Sequence, residues 1–359
     1  MTGIPLKRII LEQGASSFDS CAAILERLPG IPVSGADAQE AAPFTMDKKS
    51  LRLISFPGQI FKPCPGTQEY LCCGYHILHV GTNCPLDCSY CILQAYFNQP
   101  SLRVFVNLEE RLRELSLLLD QHPEKIFRIG TGEFTDSLAM DPIVRWSETL
   151  LPFFSKRKNA ILELKTKTDN IQGLLQSKDR EHVVVSWSLN SPTMVATEEH
   201  GAPSLEKRLR AARRCQEEGY VLGFHFDPMI HHRNWREGYQ KTIELMDKYI
   251  QPQGVIWISM GALRFMPHLK GIIRRRHPGT TILDGEFIPG LDGKMRYFKP
   301  IRMELFYFLG EKLSEWHGDL GQYLCMESDE VWTKSLGWSP GHSGALSAYL
   351  DQRVKSLFP

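Results

Sequence analysis

The sequence of 359 residues lacks any continuous apolar run of the roughly 18 residues that a membrane-spanning helix needs. Its first residues carry charges but no continuous apolar core, so they do not predict a signal peptide. The net charge is only +1, which argues against a protein that coats a polyanion with its whole surface. Hydrophobic residues are 42% and charged residues 23%, which excludes extensive disorder, collagen and a coiled coil. We therefore expect a cytoplasmic globular protein with one large domain or two modest ones.

The nine cysteines do not suit a disulfide framework, because their number is odd and no secretion signal precedes them. Six of them fall between Cys64 and Cys91, and the tightest group is the C-x3-C-x2-C triplet of Cys84, Cys88 and Cys91. Three thiolates on one short loop can hold three corners of a [4Fe–4S] cluster and leave the fourth iron open to another ligand. The competing interpretation is a Cys3His zinc site that uses His76 or His79.

From about residue 75, short β-rich runs alternate with amphipathic helical runs, which predicts a parallel sheet with right-handed crossovers. The predicted strands are Tyr75–Val80, Ile126–Gly130, Ile161–Lys165, Val183–Leu189, Val221–Phe226 and Val255–Met260. The predicted helices are Leu108–Asp120, Pro142–Lys156, Asn170–Gln176, Ser204–Glu218, Asn234–Tyr249 and Met266–Arg276, with a further one at Arg302–Trp316. Six such units predict an α/β fold, a partial (β/α)6 barrel of the TIM type, whose chemistry lies at the carboxyl ends of the strands.

This rhythm divides the chain into three expected parts. Residues 1–74 form an N-terminal extension, residues 75–300 form the partial barrel, and residues 301–359 form a helical C-terminal region. The last part contains a run of acidic residues over Glu311–Glu330, which we interpret as a solvated surface.

The triplet, with Tyr90 before its last cysteine, resembles the radical S-adenosylmethionine (SAM) enzymes. The wider sequence is similar to the spore photoproduct lyase branch of those enzymes. The runs that carry this likeness are HVGTNCPLDCSYCILQAYF, SLRVFVNLEE, FHFDPMIHHRNWREGY and RYFKPIRMELFYF. The resemblance implies that Cys84, Cys88 and Cys91 bind a [4Fe–4S] cluster, and that SAM occupies the open iron. Reductive cleavage of SAM would then yield a 5′-deoxyadenosyl radical that removes a hydrogen atom from the substrate.

The resemblance also implies where SAM is bound. Gly130, Thr131, Gly132 and Glu133 match the family segment that receives the SAM ammonium group. Lys167 matches the lysine that pairs with the SAM carboxylate, and Lys165 is its rival on the same strand face. The other expected SAM contacts are made by Tyr90 to the adenine, and by Ser186, Ser188 and Asn190 to the carboxylate or ribose.

Two positions depart from the lyase pattern. The tyrosine that follows the third cluster cysteine in the lyases is Ile92 here, and their hydrogen-donating cysteine after the second strand is Glu133. We therefore expect SAM cleavage without efficient repair of the spore photoproduct, unless another thiol folds into the site. Cys72 and Cys73 are nearest to the cluster in sequence and are candidate catalytic residues, as is Asp227 after the fifth strand.

The cysteines outside the triplet and one basic segment have several possible roles. Cys64, Cys72 and Cys73 could supply a donor thiol, a ligand to an auxiliary cluster or simply buried side chains, whereas Cys21, Cys215 and Cys325 are expected in the core. The segment Arg264–His277 predicts either a contact to nucleic-acid phosphates or a solvated helix end. The family resemblance further implies an external one-electron reductant of the flavodoxin or ferredoxin type.

Overall fold

The computed structural model describes residues 4–37 and 46–358. In chain order its strands are β1 Arg8–Leu11, β2 Val33–Gly35, β3 Ser50–Ile54, β4 Phe61–Pro63, β5 His76–Leu78, β6 Gly81–Thr82, β7 Asp87–Cys88, β8 Leu102–Phe105, β9 Phe127–Gly130, β10 Ala160–Thr166, β11 Val183–Ser188, β12 Glu199–His200, β13 Val221–Met229, β14 Val255–Ala262, β15 Arg264–Phe265, β16 Phe287–Pro289, β17 Met295–Tyr297 and β18 Gln322–Leu324. Its helices are α1 Asp19–Glu26, α2 Leu93–Tyr96, α3 Leu108–Asp120, α4 Asp141–Val144, α5 Trp146–Ser155, α6 Gln172–Gln176, α7 Pro192–Glu198, α8 Leu205–Glu217, α9 Trp235–Tyr249, α10 Leu269–Arg276, α11 Lys299–Trp316, α12 Asp329–Leu336 and α13 Ser343–Leu357.

A curled sheet of eight strands forms a half-barrel in the order β18-β14-β13-β11-β10-β9-β5-β4. All neighbours from β5 to β18 are parallel, and β4 adds an antiparallel edge. The strands are apolar and buried because helices cover the outer face; Val183, Val184 and Val185 in β11 are fully buried. The prediction of a partial barrel of the TIM type is confirmed.

The sheet reaches beyond residues 75–300 at both ends, since β4 precedes this range and β18 follows it. Each of these strands has three residues, too few for a clear alternation of apolar and polar side chains. A second sheet, in the order β2-β1-β3-β8-β6, joins the N-terminal segment to strands on either side of the cysteine triplet. Strands β1, β2 and β3 of the N-terminal segment therefore share a sheet with β6 and β8.

Most predicted helices are present with small shifts at their ends. The prediction for Leu108–Asp120 is confirmed as α3, and the Ser204 hydroxyl caps α8 by accepting a hydrogen bond from the backbone N–H of Lys207. The predicted helix Pro142–Lys156 is wrong as one element. Arg145 takes a left-handed conformation, with φ of 56°, and separates α4 from α5.

The connection between β4 and β5 closes the open side of the half-barrel. The backbone of Leu71 forms an antiparallel bridge with Glu327, just after β18. The Glu327 carboxylate is buried and accepts a hydrogen bond of 2.9 Å from Nε of Arg302. The expectation that the acidic run is solvated is therefore wrong at Glu327, because a buried arginine neutralises it.

None of the helices in residues 4–37 and 46–358 is both long enough and apolar enough to cross a membrane.

Candidate active site

The cysteine triplet lies on the loop that follows β5 and β6 and ends in α2. Cys84 and Cys88 are buried, and Cys91 is half-buried. The Asn83 amide donates to the carbonyls of Gln99 and Ser101 at 2.8 and 2.7 Å, which anchors the start of the loop. At its end, the amide of Gln94 donates to the carbonyls of Ser89 and Cys91 at 2.7 and 3.2 Å. These bonds set the backbone of the loop independently of any bound group.

Two glutamates hold the loop from below. Cys88 in β7 pairs with Glu199 in β12, and the Tyr90 hydroxyl donates a hydrogen bond to the Glu199 carboxylate. The Arg208 guanidinium forms an ion pair of 2.5 Å with the same carboxylate, and both side chains are at most 1% exposed. Similarly, the Ser89 hydroxyl donates to Glu198. The Tyr90 hydroxyl is thus engaged beneath the loop, which leaves its ring and backbone for any contact to an adenine.

The segment Arg264–His277 is divided between interior and surface. Arg264 donates two hydrogen bonds of 3.0 Å to the carboxylate of Asp227, near the end of β13. Arg276 forms an ion pair of 2.7 Å with Asp87 in the cysteine loop. The segment is therefore not a single basic patch, and its exposed cations on α10 are Arg274 and Arg275.

The electrostatics of the triplet favour a bound cation. Burial raises the pKa of the Cys84 thiol to about 12, and burial likewise raises the pKa of Cys88 far above its usual range. A negative charge on Cys91 lies close enough to raise the pKa of both thiols further. Three thiolates are therefore stable here only beside a strongly positive group, and an iron–sulfur cluster meets that need.

The two histidines considered for a zinc site, His76 and His79, pack against aromatic rings. The ring of His79 lies edge-on to Phe56, Phe105 and Phe134, with centroid distances of 5.4, 4.7 and 4.7 Å. His76 stacks on Phe61 at the other end of β5. Within residues 4–37 and 46–358, no three His, Cys, Asp or Glu side chains converge on the position of a single metal ion. A cubane distributes its ligands over different iron atoms, so three thiols need not converge in this way to hold one.

The segment Gly130–Glu133 follows β9 at the carboxyl edge of the sheet. A Cβ on Gly130 would lie 1.4 Å from the Tyr75 hydroxyl, and one on Gly132 would lie 2.9 Å from the Cβ of Lys165. The Thr131 hydroxyl is buried and donates to Ser137 at 2.8 Å. Close packing within the protein thus already requires both glycines, whatever the ligand.

The two candidate lysines have different partners. The ammonium of Lys165 lies 3.6 Å from the Glu133 carboxylate. The ammonium of Lys167 lies 5.7 Å from the centre of the Tyr90 ring, and it is close enough to Cys88 to lower the pKa of that thiol. Lys167 therefore faces the cysteine loop, whereas Lys165 is occupied by Glu133.

Two of the three polar residues expected to contact SAM from the fourth predicted strand, Ser186 and Asn190, form hydrogen bonds within the protein. The Ser186 hydroxyl donates to Glu163 at 2.5 Å. The Asn190 amide donates to the Pro228 carbonyl, and its oxygen accepts from the Tyr239 hydroxyl at 2.9 Å. Ser188 pairs with His225 across the sheet and is 6% exposed. These contacts hold Ser186 and Asn190 rigidly.

A buried network, which the sequence analysis did not predict, fills the half-barrel below the rim. One oxygen of Glu163 accepts hydrogen bonds from Ser186, from His225 Nε2 at 2.8 Å and from Trp257 Nε1 at 2.8 Å. The other ring nitrogen of His225 lies 2.6 Å from the Ser259 hydroxyl. Burial alone would raise the pKa of Glu163, but these donors, His225 above all, hold it at about 2. A polar glutamate inside a buried strand was the signal for this network.

The closing connection contains Cys64, Cys72 and Cys73. A Cβ on Gly66 would lie 2.8 Å from the sulfur of Cys72. Cys64 lies near enough to Glu133 and Lys165 for both charges to affect its pKa, which burial raises to about 11. The thiols of Cys72 and Cys73 interact with each other.

Cys325 joins these thiols from the other edge of the sheet. It follows β18 and is half-buried, and Nη2 of Arg264 lies 3.4 Å from its sulfur. Its expected place in the core is therefore wrong, whereas the expectation is confirmed for Cys21 and Cys215, which are 1% and 0% exposed.

A family comparison agrees with this geometry. The sequence model described as spore photoproduct lyase matches residues 72–287, more than half of the chain. The chain belongs to the spore photoproduct lyase family. The matched range contains the cysteine triplet, the Gly130–Glu133 segment and both candidate lysines.

Curated relatives carry the same name. The chain is 28% identical to the spore photoproduct lyase of Bacillus subtilis (strain 168) over 210 residues, 57% of this chain and 61% of the relative. It is 26% identical to that of Clostridium acetobutylicum over 282 residues, 76% of each chain. The alignments to the Bacillus enzyme and to a Geobacillus enzyme thus span only 61% and 62% of those proteins.

Solved structures extend the likeness of fold to nearly the whole chain. A spore photoproduct lyase complexed with dinucleoside spore photoproduct superimposes with a TM-score of 0.79 and 20% identity, over 90% of this chain and 99% of that one. A doubly substituted mutant of such a lyase, with bound AdoMet and dinucleoside spore photoproduct, gives a TM-score of 0.78 and 21% identity, over 90% and 100% of the chains. At this identity the comparison establishes the fold.

Proposed function

We propose that this protein is a radical SAM enzyme that removes a hydrogen atom from a lesion in nucleic acid. The observation that carries the proposal is the loop of three mutually close thiols, with the Lys167 ammonium beside it at the carboxyl edge of a parallel half-barrel. In barrels of this kind, reactive groups gather at that edge. Membership of the spore photoproduct lyase family supports the same chemistry.

Cys84, Cys88 and Cys91 would hold a [4Fe–4S] cluster, and Gly130–Glu133 and Lys167 would receive the ammonium and carboxylate of SAM. When bound, the reduced cluster and SAM supply a 5′-deoxyadenosyl radical. Glu198 and Glu199 fix the cysteine loop through their hydrogen bonds to Ser89 and Tyr90. The half-barrel would exclude water from the reacting atoms. Ser188 and Asn190 would line the inner rim against which the ribose would lie, and Ser186 would support them from below through its bond to Glu163.

The substrate we propose is a thymine photoproduct in DNA, since a relative of the same fold is described in complex with dinucleoside spore photoproduct. Exposed residues of α10, Arg274 and Arg275, are suited to contact the phosphates that flank a lesion. We further propose a cytoplasmic location and an external reductant of the flavodoxin or ferredoxin type.

We retain three proposed catalytic residues, Asp227, Cys72 and Cys73, whose different environments favour different roles. The Arg264 guanidinium holds Asp227 as a carboxylate, so it would orient substrate or solvent rather than donate a proton. The Cys73 thiol lowers the pKa of Cys72 to about 6, which makes Cys72 a thiolate near neutral pH. Cys73 lies close to Arg128, whose guanidinium donates a hydrogen bond of 2.5 Å to the Cys73 carbonyl. Arg128 belongs to the amino-terminal half of β9.

The test is anaerobic reconstitution with iron and sulfide, followed by incubation with SAM, a strong reductant and dinucleoside spore photoproduct. The proposal predicts 5′-deoxyadenosine together with repaired thymine dinucleotide. A protein that forms the cluster but yields no 5′-deoxyadenosine under these conditions would contradict it. Formation of 5′-deoxyadenosine without repair would keep the radical chemistry and reject this substrate.

A further inference from the structure

We propose that Cys325 donates the hydrogen atom that completes the reaction; this inference rests on the proposed function of the same site. A carbon-centred radical left on the product must gain one hydrogen atom. Carboxylate O–H and amide N–H bonds are too strong to give one readily, whereas the S–H bond of cysteine is weak. Glu133 occupies the position at which a donor was expected, and it is paired with Lys165 at 3.6 Å. A donor must therefore come from another part of the chain.

The sheet register places Cys325 on the inner side of the half-barrel. Tyr323 in β18 lies beside Ser259 in β14, and Ser259 faces inwards, where its hydroxyl contacts His225 at 2.6 Å. Side chains alternate along an extended segment, so Cys325 shares the inner face with Tyr323. The Cys325 N–H continues the pairing with β14 by donating to the Met260 carbonyl at 2.8 Å.

Cys325 also adjoins the charged groups of the rim. Arg264 joins it to Asp227, whose carboxylate accepts two bonds of 3.0 Å from that arginine. Cys325 is close enough to Lys165 for a negative charge on its sulfur to raise the pKa of that lysine, as the Glu133 carboxylate does more strongly. The thiol thus lies on the same rim as the Gly130–Glu133 segment, although the two are far apart in the chain.

Protonation distinguishes this thiol from Cys72. A hydrogen atom can come only from an intact S–H bond, and the low pKa of Cys72 removes that bond near neutral pH. Burial raises the pKa of Cys325 to about 12 in spite of the neighbouring arginine, so the S–H bond persists. The remaining protonated rivals are Cys73, whose pKa is raised well above its usual value by the contact with Cys72 and by burial, and Cys64, with a pKa of about 11. Cys64 serves as a comparison below.

In the proposed step, the S–H bond of Cys325 breaks and a C–H bond forms on the product radical. The unpaired electron then resides on sulfur. One electron from the external flavodoxin- or ferredoxin-type reductant and one proton from solvent restore the thiol. No other oxidant or reductant is needed.

Turnover in D2O tests the step, because the S–H hydrogen exchanges with solvent. The wild type is expected to give thymine product that carries one deuterium. Cys325→Ser preserves the size of the side chain but replaces the weak S–H with a strong O–H. This variant should form 5′-deoxyadenosine at a normal rate, but its rate of repair should fall about tenfold or more. A tenfold fall corresponds to an activation barrier that is higher by roughly 1.4 kcal/mol. Cys64→Ser is the matched control, and it should repair normally.

A second readout needs no turnover. With SAM omitted, dinucleoside spore photoproduct should slow the alkylation of Cys325 by a maleimide, followed by mass spectrometry, but should not alter that of Cys72. The inference is overturned if substrate leaves Cys325 alkylation unchanged. It is also overturned if Cys325→Ser repairs as well as the wild type, or if Cys64→Ser is the variant that fails. Absence of 5′-deoxyadenosine in the wild type would instead count against the proposed function, and the alkylation result still decides whether Cys325 faces the substrate.

Discussion

The backbone N–H of Leu71 donates to the carbonyl of Glu327 at 3.0 Å, and this bond joins the two edges of the half-barrel. It connects the segment after β4 with the segment after β18, although the two are far apart in sequence. As a result, Cys64 and Cys72 approach Cys325 beside the rim. The closure explains how a chain with a glutamate at the expected donor position still presents thiols to its site.

Lys167→Ala should weaken SAM binding and leave the cluster in place. The lost contact would be a charge-assisted bond worth roughly 1.5–3 kcal/mol, or about ten- to a hundredfold in affinity. Isothermal titration of SAM under anaerobic conditions measures the effect. Lys165→Ala is the matched comparison, since Lys165 is paired with Glu133. If Lys165→Ala loses SAM and Lys167→Ala does not, the assignment of the lysine is wrong.

Arg208→Ala should destabilise the protein and reduce its iron content. The substitution leaves the Glu199 carboxylate buried without its ion-pair partner, which typically costs about 3–5 kcal/mol. Glu199 also accepts the Tyr90 hydrogen bond, so the cysteine loop loses its support. Urea unfolding and iron analysis measure both effects. Arg210→Ala, on the exposed face of the same helix, should change neither by much, and equal losses in both variants would refute this role.

Stability should fall in acid partly through Glu163. Its folded pKa of about 2 lies below the ordinary glutamate value of 4.5, so its contribution is complete above about pH 4.5 and is lost as the pH falls towards 2. A shift of this size corresponds to about 3 kcal/mol at most. We expect the difference in unfolding free energy between wild type and Glu163→Gln to shrink between about pH 5 and about pH 2.5. A difference that stays constant over this range would show that the charge of Glu163 contributes nothing.

Gly130→Ala should lower stability markedly, because the new methyl group would lie 1.4 Å from the Tyr75 hydroxyl and 3.0 Å from the Glu163 carbonyl. Overpacking of this kind costs about 1–3 kcal/mol or more. Gly318→Ala is a suitable control, since nothing lies within 4 Å of its added Cβ. Thermal unfolding of the two variants gives the comparison. Equal melting temperatures for both would mean that Tyr75 moves aside freely.

The elements that the sequence predicted well are those with long, regular patterns. The apolar run of β11 and the amphipathic helix α3 are recognisable without any partner. β18 is three residues long, and its pairing with β14 depends on a contact between distant segments. The hydrogen-bond donors around Glu163 could not be predicted from the sequence for the same reason, because Trp257 lies 94 residues further along the chain. Local patterns specify local elements, whereas side-chain partners depend on the closed sheet.

The cysteine site follows the same division. The spacing of Cys84, Cys88 and Cys91 pointed to a cluster because all three belong to one loop. Cys325 lacked such a neighbour in sequence and was assigned to the core, yet β18 carries it to the rim. The hydrogen bonds between Asn190 and Tyr239 and between Ser186 and Glu163 could not be predicted from the sequence either, because they join residues of different elements.

Metal analysis of the anaerobically purified protein tests the central claim, a [4Fe–4S] cluster on the cysteine triplet, most directly. The account predicts about four irons and about four sulfides per chain, and their loss in Cys84→Ala, Cys88→Ala and Cys91→Ala but not in Cys215→Ala. A total of about eight irons would add an auxiliary cluster and contradict the role given to Cys325. Stoichiometric zinc without iron, retained by the wild type after anaerobic purification, would contradict the account as a whole.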